Sequence, residues 1–310
     1  MRYCVIANPH ARNGRGRRRL RELEDLLQRR GLSYDLKICD GFERARSMSE
    51  EANRTGYDVI VGAGGDGTIN RVLNGFFDDQ GRRLSPARLG VVHLGTSPDF
   101  CRSYGIPTEL GAAVNALAAG RIRRLAVGRV AYEPTQRRPA YFGCCANIGL
   151  GATLARRANG GIRKYAGDFA GTLLCLLRTL LTYRPHPLQV TMDGEARTLE
   201  GVVNISIGKT FHVASGLKIH HELKERDERF YVLCLRQLSC RRLAGVLRSL
   251  YGGRPIQPSA SLSLEYAREI QIDPLWPSLE VEFDGDPAGV CPCQIETAAD
   301  PLELIVEDGA

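Results

Sequence analysis

The run Val61-Gly62-Ala63-Gly64-Gly65-Asp66-Gly67-Thr68-Ile69-Asn70 carries the sharpest chemical signal in the sequence. A buried strand that feeds a glycine-rich turn and then a helix brings bare backbone N–H groups and the positive end of a helix to one point, which is a phosphate site. Glycine serves there because a Cβ would block the approach of the phosphate. An aspartate in such a loop faces like charge, so Asp66 implies a divalent ion, or a hydrogen-bonded hydroxyl or water, beside the ligand. Read without a ligand, the run is a tight turn whose Asp66 caps the helix.

A second polar turn, Asn8-Pro9-His10-Ala11-Arg12-Asn13-Gly14-Arg15-Gly16, follows the first strand. Parallel-sheet geometry places it near the 64–68 turn, where the two would grip one nucleotide from both sides. Arg12, Arg15, Arg17, Arg18, Arg19 and Arg21 form a basic cluster that suits phosphates or anionic headgroups, and equally a solvated helix face.

The elements that must position these turns alternate. Tyr3 to Ala7, Ser33 to Cys39, Asp58 to Gly62 and Leu89 to Leu94 read as strands. Between and after them, an Arg-rich segment with Leu20, Leu23, Leu26 and Leu27 on one face, Phe42 to Thr55, Ile69 to Phe77 and Leu110 to Ala119 read as helices. The expected fold of residues 1–124 is an α/β nucleotide-binding domain with a Rossmann-like parallel sheet. From about Arg124 short β-rich runs take over: Val127–Tyr132, Ala140–Cys145, Leu188–Met192, Val202–Ile207, Phe230–Leu235, Ser261–Leu264, Glu269–Ile272 and Leu279–Phe283. With Asp193-Gly194 and Asp284-Gly285 as hairpin signals, they predict a β-sandwich domain over 125–295. Two helices interrupt it, Asp168 to Tyr183 and Ser239 to Tyr251. The apolar run Phe169–Leu177 reads as core-facing, with a membrane-dipping helix as the alternative.

The length of 310 residues favours two domains with substantial cores. Net charge is +7, and the 42 basic residues include only five lysines, leaving 37 arginines. Arginine matches phosphate bidentately, so an anionic partner and a compositional bias both account for the surplus. Ten cysteines behind a start without an apolar leader predict free thiols in a reducing cytoplasm. Cys291-Pro292-Cys293 and Cys144-Cys145 lack zinc spacing. The longest uncharged stretch, Pro139 to Ala155, falls short of the roughly 20 apolar residues of a span. The expectation is a cytoplasmic protein, at most peripheral to a membrane.

Asn8-Pro9, then Gly64 to Asn70, then Leu94-Gly95-Thr96 with Asp99-Phe100 and Arg102, then Asp284-Gly285-Asp286-Pro287 occur in that order. In this the chain resembles the diacylglycerol kinase catalytic-domain family, which includes bacterial lipid kinases and sphingosine kinases, along essentially its whole length. The resemblance implies transfer of the ATP γ-phosphoryl group to a lipid hydroxyl with Mg²⁺, peripheral membrane association and no nucleic-acid partner; a homodimer stays open. It implies that Asn8, Pro9, Gly64, Gly65, Gly67, Thr68, Gly95 and Thr96 hold the nucleotide, that Asp66 and Asp284 are catalytic, Asp284 as general base, and that Asp227 helps organise the metal. Asp99, Arg102, Gly285 and Asp286 complete the motifs. It also implies that residues 296–310 return to the first domain.

The chain departs from the family pattern. Gly95-Thr96-Ser97-Pro98-Asp99 stands where Gly-Thr-Gly-Asn-Asp is usual, so the asparagine amide and one backbone donor are lost. Ala126, Cys144, Cys39, Asp227-Glu228 and Asp286 are further changes. Retention of Asp66, Asp99, Asp227 and Asp284 favours a divergent kinase over a fold that binds without turnover. Two rivals remain: an NAD kinase-like enzyme with a soluble substrate, since that group carries a relative of the glycine-aspartate turn, and a non-catalytic nucleotide- or lipid-binding regulator. His212, His220 and His221 near Asp227 match no zinc spacing and read as surface or cleft-lining residues.

Overall fold

The computed structural model describes the chain except residues 10–15, 40–41, 133–137, 158–178, 180–181, 215, 225–226, 238, 276–278, 285 and 308–310, and the side chains of 42, 43, 240 and 286–288. Most of the expected helix from Asp168 to Tyr183, Arg12 and Arg15 of the basic cluster, and Gly285 lie outside the described residues. Two compact units form: Met1–Val127 with Tyr141–Gly143 and Ala298–Ala310, and Gly128–Ala140 with Cys144–Thr297.

The first unit contains β1 (Arg2–Ala7), α1 (Gly16–Arg29), β2 (Ser33–Ile38), α2 (Phe42–Thr55), β3 (Val59–Gly64), α3 (Asp66–Asn74), β4 (Arg88–His93), α4 (Asp99–Tyr104), α5 (Leu110–Ala119), β5 (Ile122–Leu125) and a late strand, β19 (Leu302–Ile305). The sheet order is β2-β1-β3-β4-β19-β5, with β1 to β4 mutually parallel. Every residue of β3 is buried, as a central parallel strand covered on both faces requires. Alternation sends Tyr3, Val5, Ala7, Val59, Val61 and Ala63 into one core with Leu20, Leu23 and Leu27 of α1 and Leu110, Val114 and Leu117 of α5. On the other face Gly62 makes room for α3, because a Cβ there would touch Ile69 Cα at 3.4 Å. β19 runs parallel to β4 and antiparallel to β5. The order reverses between β1 and β3, and ligands of open α/β sheets bind at such a crevice beyond the strand C-termini.

Several boundaries differ from expectation. α3 begins at Asp66 and not at Ile69, because Thr68 N and Ile69 N both donate to Gly65 O, at 2.9 and 3.0 Å. The turn is thus reduced to Gly64-Gly65, and Gly67 and Thr68 are helical. α4 was not anticipated; six residues are too few to show a period.

The second unit contains β6 (Gly128–Tyr132), β7 (Ala140–Phe142, shared with the first unit), β8 (Cys145–Gly149), α6 (Leu150–Arg157), β9 (His186–Met192), β10 (Glu195–Gly208), β11 (His212–Val213), β12 (Leu217–Lys218), β13 (Phe230–Arg236), α7 (Cys240–Tyr251), β14 (Leu262–Ala267), β15 (Ile270–Pro274), β16 (Glu280–Phe283), β17 (Asp286–Val290) and β18 (Cys293–Thr297). The strands run antiparallel in the order β17-β16-β8-β10-β9-β15-β18-β6, with β13 on β10 and β14 on β13. β10 is the pivot: residues 195–199 pair with β9, residues 204–208 with β8 and β13, and the register breaks between Leu199 and Val202. Gly201 at φ 63° makes that break, and a Cβ there would meet Gln237 Cγ at 2.3 Å. One strand thereby serves both halves of a curled, sandwich-like sheet. The Asp193-Gly194 hairpin forms with both residues at positive φ, 49° and 87°, as a type I′ turn demands.

The strand expected over Ala140–Cys145 breaks at Gly143-Cys144, and α6 was not anticipated. α7 starts at Ser239, whose side chain accepts from Arg242 N. Inside α7 a Cβ on Gly245 would meet nothing within 4 Å beyond its chain neighbours and the helix's own backbone. Gly245→Ala is therefore expected to stabilise the fold by about 0.5–1 kcal/mol through helix propensity, read as a raised melting temperature.

Candidate active site

The C-terminal ends of β1 and β3 lie side by side, Ala7 opposite Ala63. Asn8 N donates to Ala63 O at 3.0 Å, and the buried Asn8 Nδ2 donates to Thr68 Oγ1 at 3.3 Å, so Asn8, the first residue of the second polar turn, meets the 64–68 segment. Around them the backbone is bare by necessity. A Cβ on Gly64 would stand 2.6 Å from Thr68 Oγ1, and one on Gly95 2.4 Å from Gly65 Cα. Leu94 N donates to Gly64 O at 2.7 Å and ties the Gly95 turn to the β3 turn. Gly65 is the N-cap of α3 and offers no side-chain cap, which exposes the first N–H groups of the helix to a ligand. Pro9 and Gly95 are buried, whereas Thr96 and Arg102 are exposed.

Asp66 lies in the first turn of α3. Its Oδ2 accepts from the backbone N of Asp99 at 3.2 Å, and its Oδ1 lies 3.7 Å from His93 Nδ1. Asp66 thus caps α4, a neighbour the sequence did not indicate. Buried Asp99 in turn receives Ser97 Oγ at 3.5 Å, and Pro98 is the N-cap of α4, a place where a missing N–H costs little. The Ser97-Pro98 departure is accommodated as a helix start. His93, 3% exposed at the end of β4, was not singled out; a polar residue closing the apolar run Leu89–Val92 was its signal. Asn70 and Asn74 are also buried and bind backbone: Asn74 Nδ2 donates to Tyr141 O at 2.7 Å, Tyr141 N donates to Asn74 Oδ1 at 2.8 Å, and Asn70 Nδ2 reaches the same carbonyl at 2.9 Å. They position Tyr141–Gly143, where Tyr104 OH donates to Gly143 O.

In the second unit Asp284 follows β16 at φ 49°. Its Oδ1 accepts from Cys144 N at 2.9 Å and Cys145 N at 3.1 Å, while Asp284 N donates to Cys145 O at 3.1 Å. Those bonds are why the expected strand breaks at Cys144. Beside it runs a polar row the sequence reading missed. Glu282, Asn147 and Ser206 stand in register across β16, β8 and β10, on the face opposite Phe283, Ile148 and Ile207. Asn147 Nδ2 donates to Glu282 Oε2 at 2.8 Å, Ser206 Oγ to Asn147 Oδ1 at 2.5 Å, and Asn204 Oδ1 receives Gly151 N of α6 at 2.8 Å. The alternation Glu280-Val281-Glu282-Phe283-Asp284 was the available sign.

Asp227 accepts from Arg229 Nε at 3.0 Å on Oδ1 and from Arg229 Nη2 at 2.7 Å on Oδ2. The guanidinium holds its carboxyl down at about 2. A metal at Asp227 would share the carboxylate with the Arg229 guanidinium and meet its like charge. Among the described residues no three His, Cys, Asp or Glu side chains converge as a metal site. The three histidines lie in an aromatic cluster and not simply at the surface: Phe211 is flanked edge-on by His212 and His220, His221 stacks on Tyr231, and burial lowers the His221 pKa.

Lys209 Nζ donates to Asp227 O at 2.9 Å and lies 4.5 Å from the Phe230 ring centroid; burial brings its pKa down from 10.5 to about 8. The unfolded chain holds more protons than the folded one between those values, so this contribution to stability rises with pH there and is flat below about 8. A gain on the order of 2 kcal/mol is expected between about pH 8 and 10, seen as a later urea midpoint, and Lys209→Met should flatten it.

The family described as "Diacylglycerol kinase catalytic domain" matches residues 2–130, and the "YegS C-terminal NAD kinase beta sandwich-like domain" matches residues 145–306. The chain belongs to the diacylglycerol kinase catalytic-domain family. Among relatives in this family, a diacylglycerol kinase of Staphylococcus aureus (strain bovine RF122 / ET3-1) is 24% identical over 294 residues, covering 94% of this chain and 88% of its own length. One from Staphylococcus haemolyticus (strain JCSC1435) is 23% identical over 297 residues, with 94% and 84% covered. A diacylglycerol kinase from Bacillus anthracis str. Sterne, known from its crystal structure, shares the fold at a TM-score of 0.71 and 18% identity, over 99% of this chain and 97% of that one. The parallel-sheet unit and the curled antiparallel unit are the family's two-domain fold.

Proposed function

We propose that this protein is an ATP- and Mg²⁺-dependent lipid kinase that moves the γ-phosphoryl group to a lipid hydroxyl. The observation that carries the reading is the cradle at Gly64, Gly65 and Gly95, where one added Cβ would meet backbone at 2.4 Å and another Thr68 at 2.6 Å. Backbone approached so closely, at an uncapped helix start, fits the phosphates of a nucleotide. Names of the relatives in this family support a lipid as acceptor. When bound, ATP with Mg²⁺ supplies the phosphoryl group and neutralises its charge.

The residues contribute the rest. Asn8 and Thr68 fix the rim of the cradle, and Gly67 keeps the first turn of α3 open. Asp66 orders the Gly95 side of the turn through Asp99 N. Asp284, held through Oδ1 by two backbone N–H groups, takes the proton of the attacking hydroxyl. The units, 1–124 with the final strand and 125–295, divide as nucleotide and acceptor halves in this proposal. A lipid acceptor implies a peripheral encounter with the bilayer; among the described residues no helix is long and apolar enough to cross a membrane.

The test is incubation with γ-labelled ATP and Mg²⁺ against a native lipid extract and, separately, against NAD. Label in a lipid fraction is expected. Label in NAD points to the soluble-substrate rival, and nucleotide binding without transfer to either points to a regulator.

A further inference from the structure

The second unit carries a concentration of arginine that the proposed chemistry does not use. From Arg229 to Leu264 the sequence holds six arginines and no aspartate or glutamate. α7 occupies the centre of this stretch. Leu243 and Leu250, seven residues apart, are buried and seat the helix. On its outer side Arg241 and Arg248, also seven apart, are exposed, with Arg242 beside them and Arg254 just past the helix end. Two helical turns put Arg241 and Arg248 on one line about 10 Å apart.

Several other arginines of this unit are ion-paired: Arg129 with Glu296, Arg156 with Glu280, Arg197 with Glu265 and Arg229 with Asp227. Among the described residues, Arg241, Arg242, Arg248 and Arg254 have no carboxylate partner. Between the two aligned arginines stand only Ala244 and Gly245 on the outer line, so the helix backbone can approach a surface closely. Val246 and Leu247 are half-buried and Tyr251 is 50% exposed, which adds an apolar shoulder to the cationic line. Cations flanked by apolar groups on one helix are the pattern of an interfacial helix.

We infer that the outer face of α7, with Arg241, Arg242, Arg248 and Arg254, docks this protein on the anionic surface of a lipid bilayer. Guanidinium groups meet headgroup phosphates while Tyr251 reaches the headgroup boundary. The choice of a bilayer over another polyanion rests on the lipid-acceptor reading. Each arginine near such a surface contributes roughly a fivefold gain in binding, screened by salt.

The experiment is co-sedimentation of the full chain, without nucleotide, with phosphatidylcholine vesicles lacking or containing phosphatidylglycerol. Binding is expected only to the anionic vesicles and should weaken as salt rises. Arg241→Gln/Arg248→Gln should lower the partition about thirtyfold, and Arg241→Lys/Arg248→Lys should keep most of it, at unchanged melting temperatures. The inference is overturned if the Gln variant partitions like the native chain, if neutral vesicles bind equally well, if no vesicle binds, or if the chain prefers single-stranded RNA. Phosphoryl transfer to detergent-dispersed lipid is assayed separately. Loss of transfer to every lipid with vesicle partition intact sinks the kinase reading and leaves the docking face standing; the converse sinks the face alone.

Discussion

Asp284→Asn is expected to lower phosphoryl transfer by about 10²–10⁴-fold while leaving nucleotide affinity and folding almost unchanged. The asparagine carbonyl can accept the same two bonds that Cys144 N and Cys145 N now give to Oδ1, at 2.9 and 3.1 Å. Asparagine also tolerates the left-handed backbone at φ 49°. Only the capacity to take up a proton is removed. Asp284→Ala would lose the bonds and set Ala in that strained region, so it should cost about 1–3 kcal/mol in addition. Initial rates with labelled ATP, beside urea midpoints of both variants, separate the effects. A near-native rate in the Asn variant would remove Asp284 from the chemistry.

A paired substitution in the glycine cradle should separate folding from binding. Gly95→Ala puts a Cβ 2.4 Å from Gly65 Cα, and because that neighbour is backbone, no rotamer relieves it. A loss of about 1–3 kcal/mol and failure of nucleotide binding are expected together. Gly65→Ala is different. Its Cβ would lie 3.5 Å from Gly95 Cα, an ordinary contact, and its φ of −83° and ψ of 176° suit any residue. The fold has no need of glycine there, so the need must come from the ligand. Gly65→Ala should melt near the native temperature and yet bind an ATP analogue at least about tenfold more weakly, measured by calorimetry. Native affinity in that variant would contradict a phosphate at this helix start.

The parallel half was largely legible because its signals are local. Phe42–Thr55 and Leu110–Ala119 match the observed helices residue for residue, the first from its spacing of apolar positions and the second ending at Gly120 in the left-handed region. Errors cluster where a distant partner decides. The start of α3 moved to Asp66 through bonds to Gly65 O, and Gly143-Cys144 broke a predicted strand because Asp284, 140 residues on, takes the amide N–H groups. β10 ran far beyond Val202–Ile207, since Glu195–Leu199 is polar and its strand character comes from pairing with β9. In the site, the glycines were readable because their type declares a backbone need. His93, the Asp66 bond to Asp99 N and the Glu282-Asn147-Ser206 row were not, because single polar residues inside apolar runs acquire meaning only from their cross-strand neighbours.

The insertion of β19 between β4 and β5 has a bearing on biosynthesis. Residues 302–305 leave the ribosome after the whole second unit, so until then β4 and β5 lack the strand that joins them in the finished sheet. The first unit, although mostly made first, closes last, and the β4 edge beside the Gly95 turn stays unpaired through most of translation.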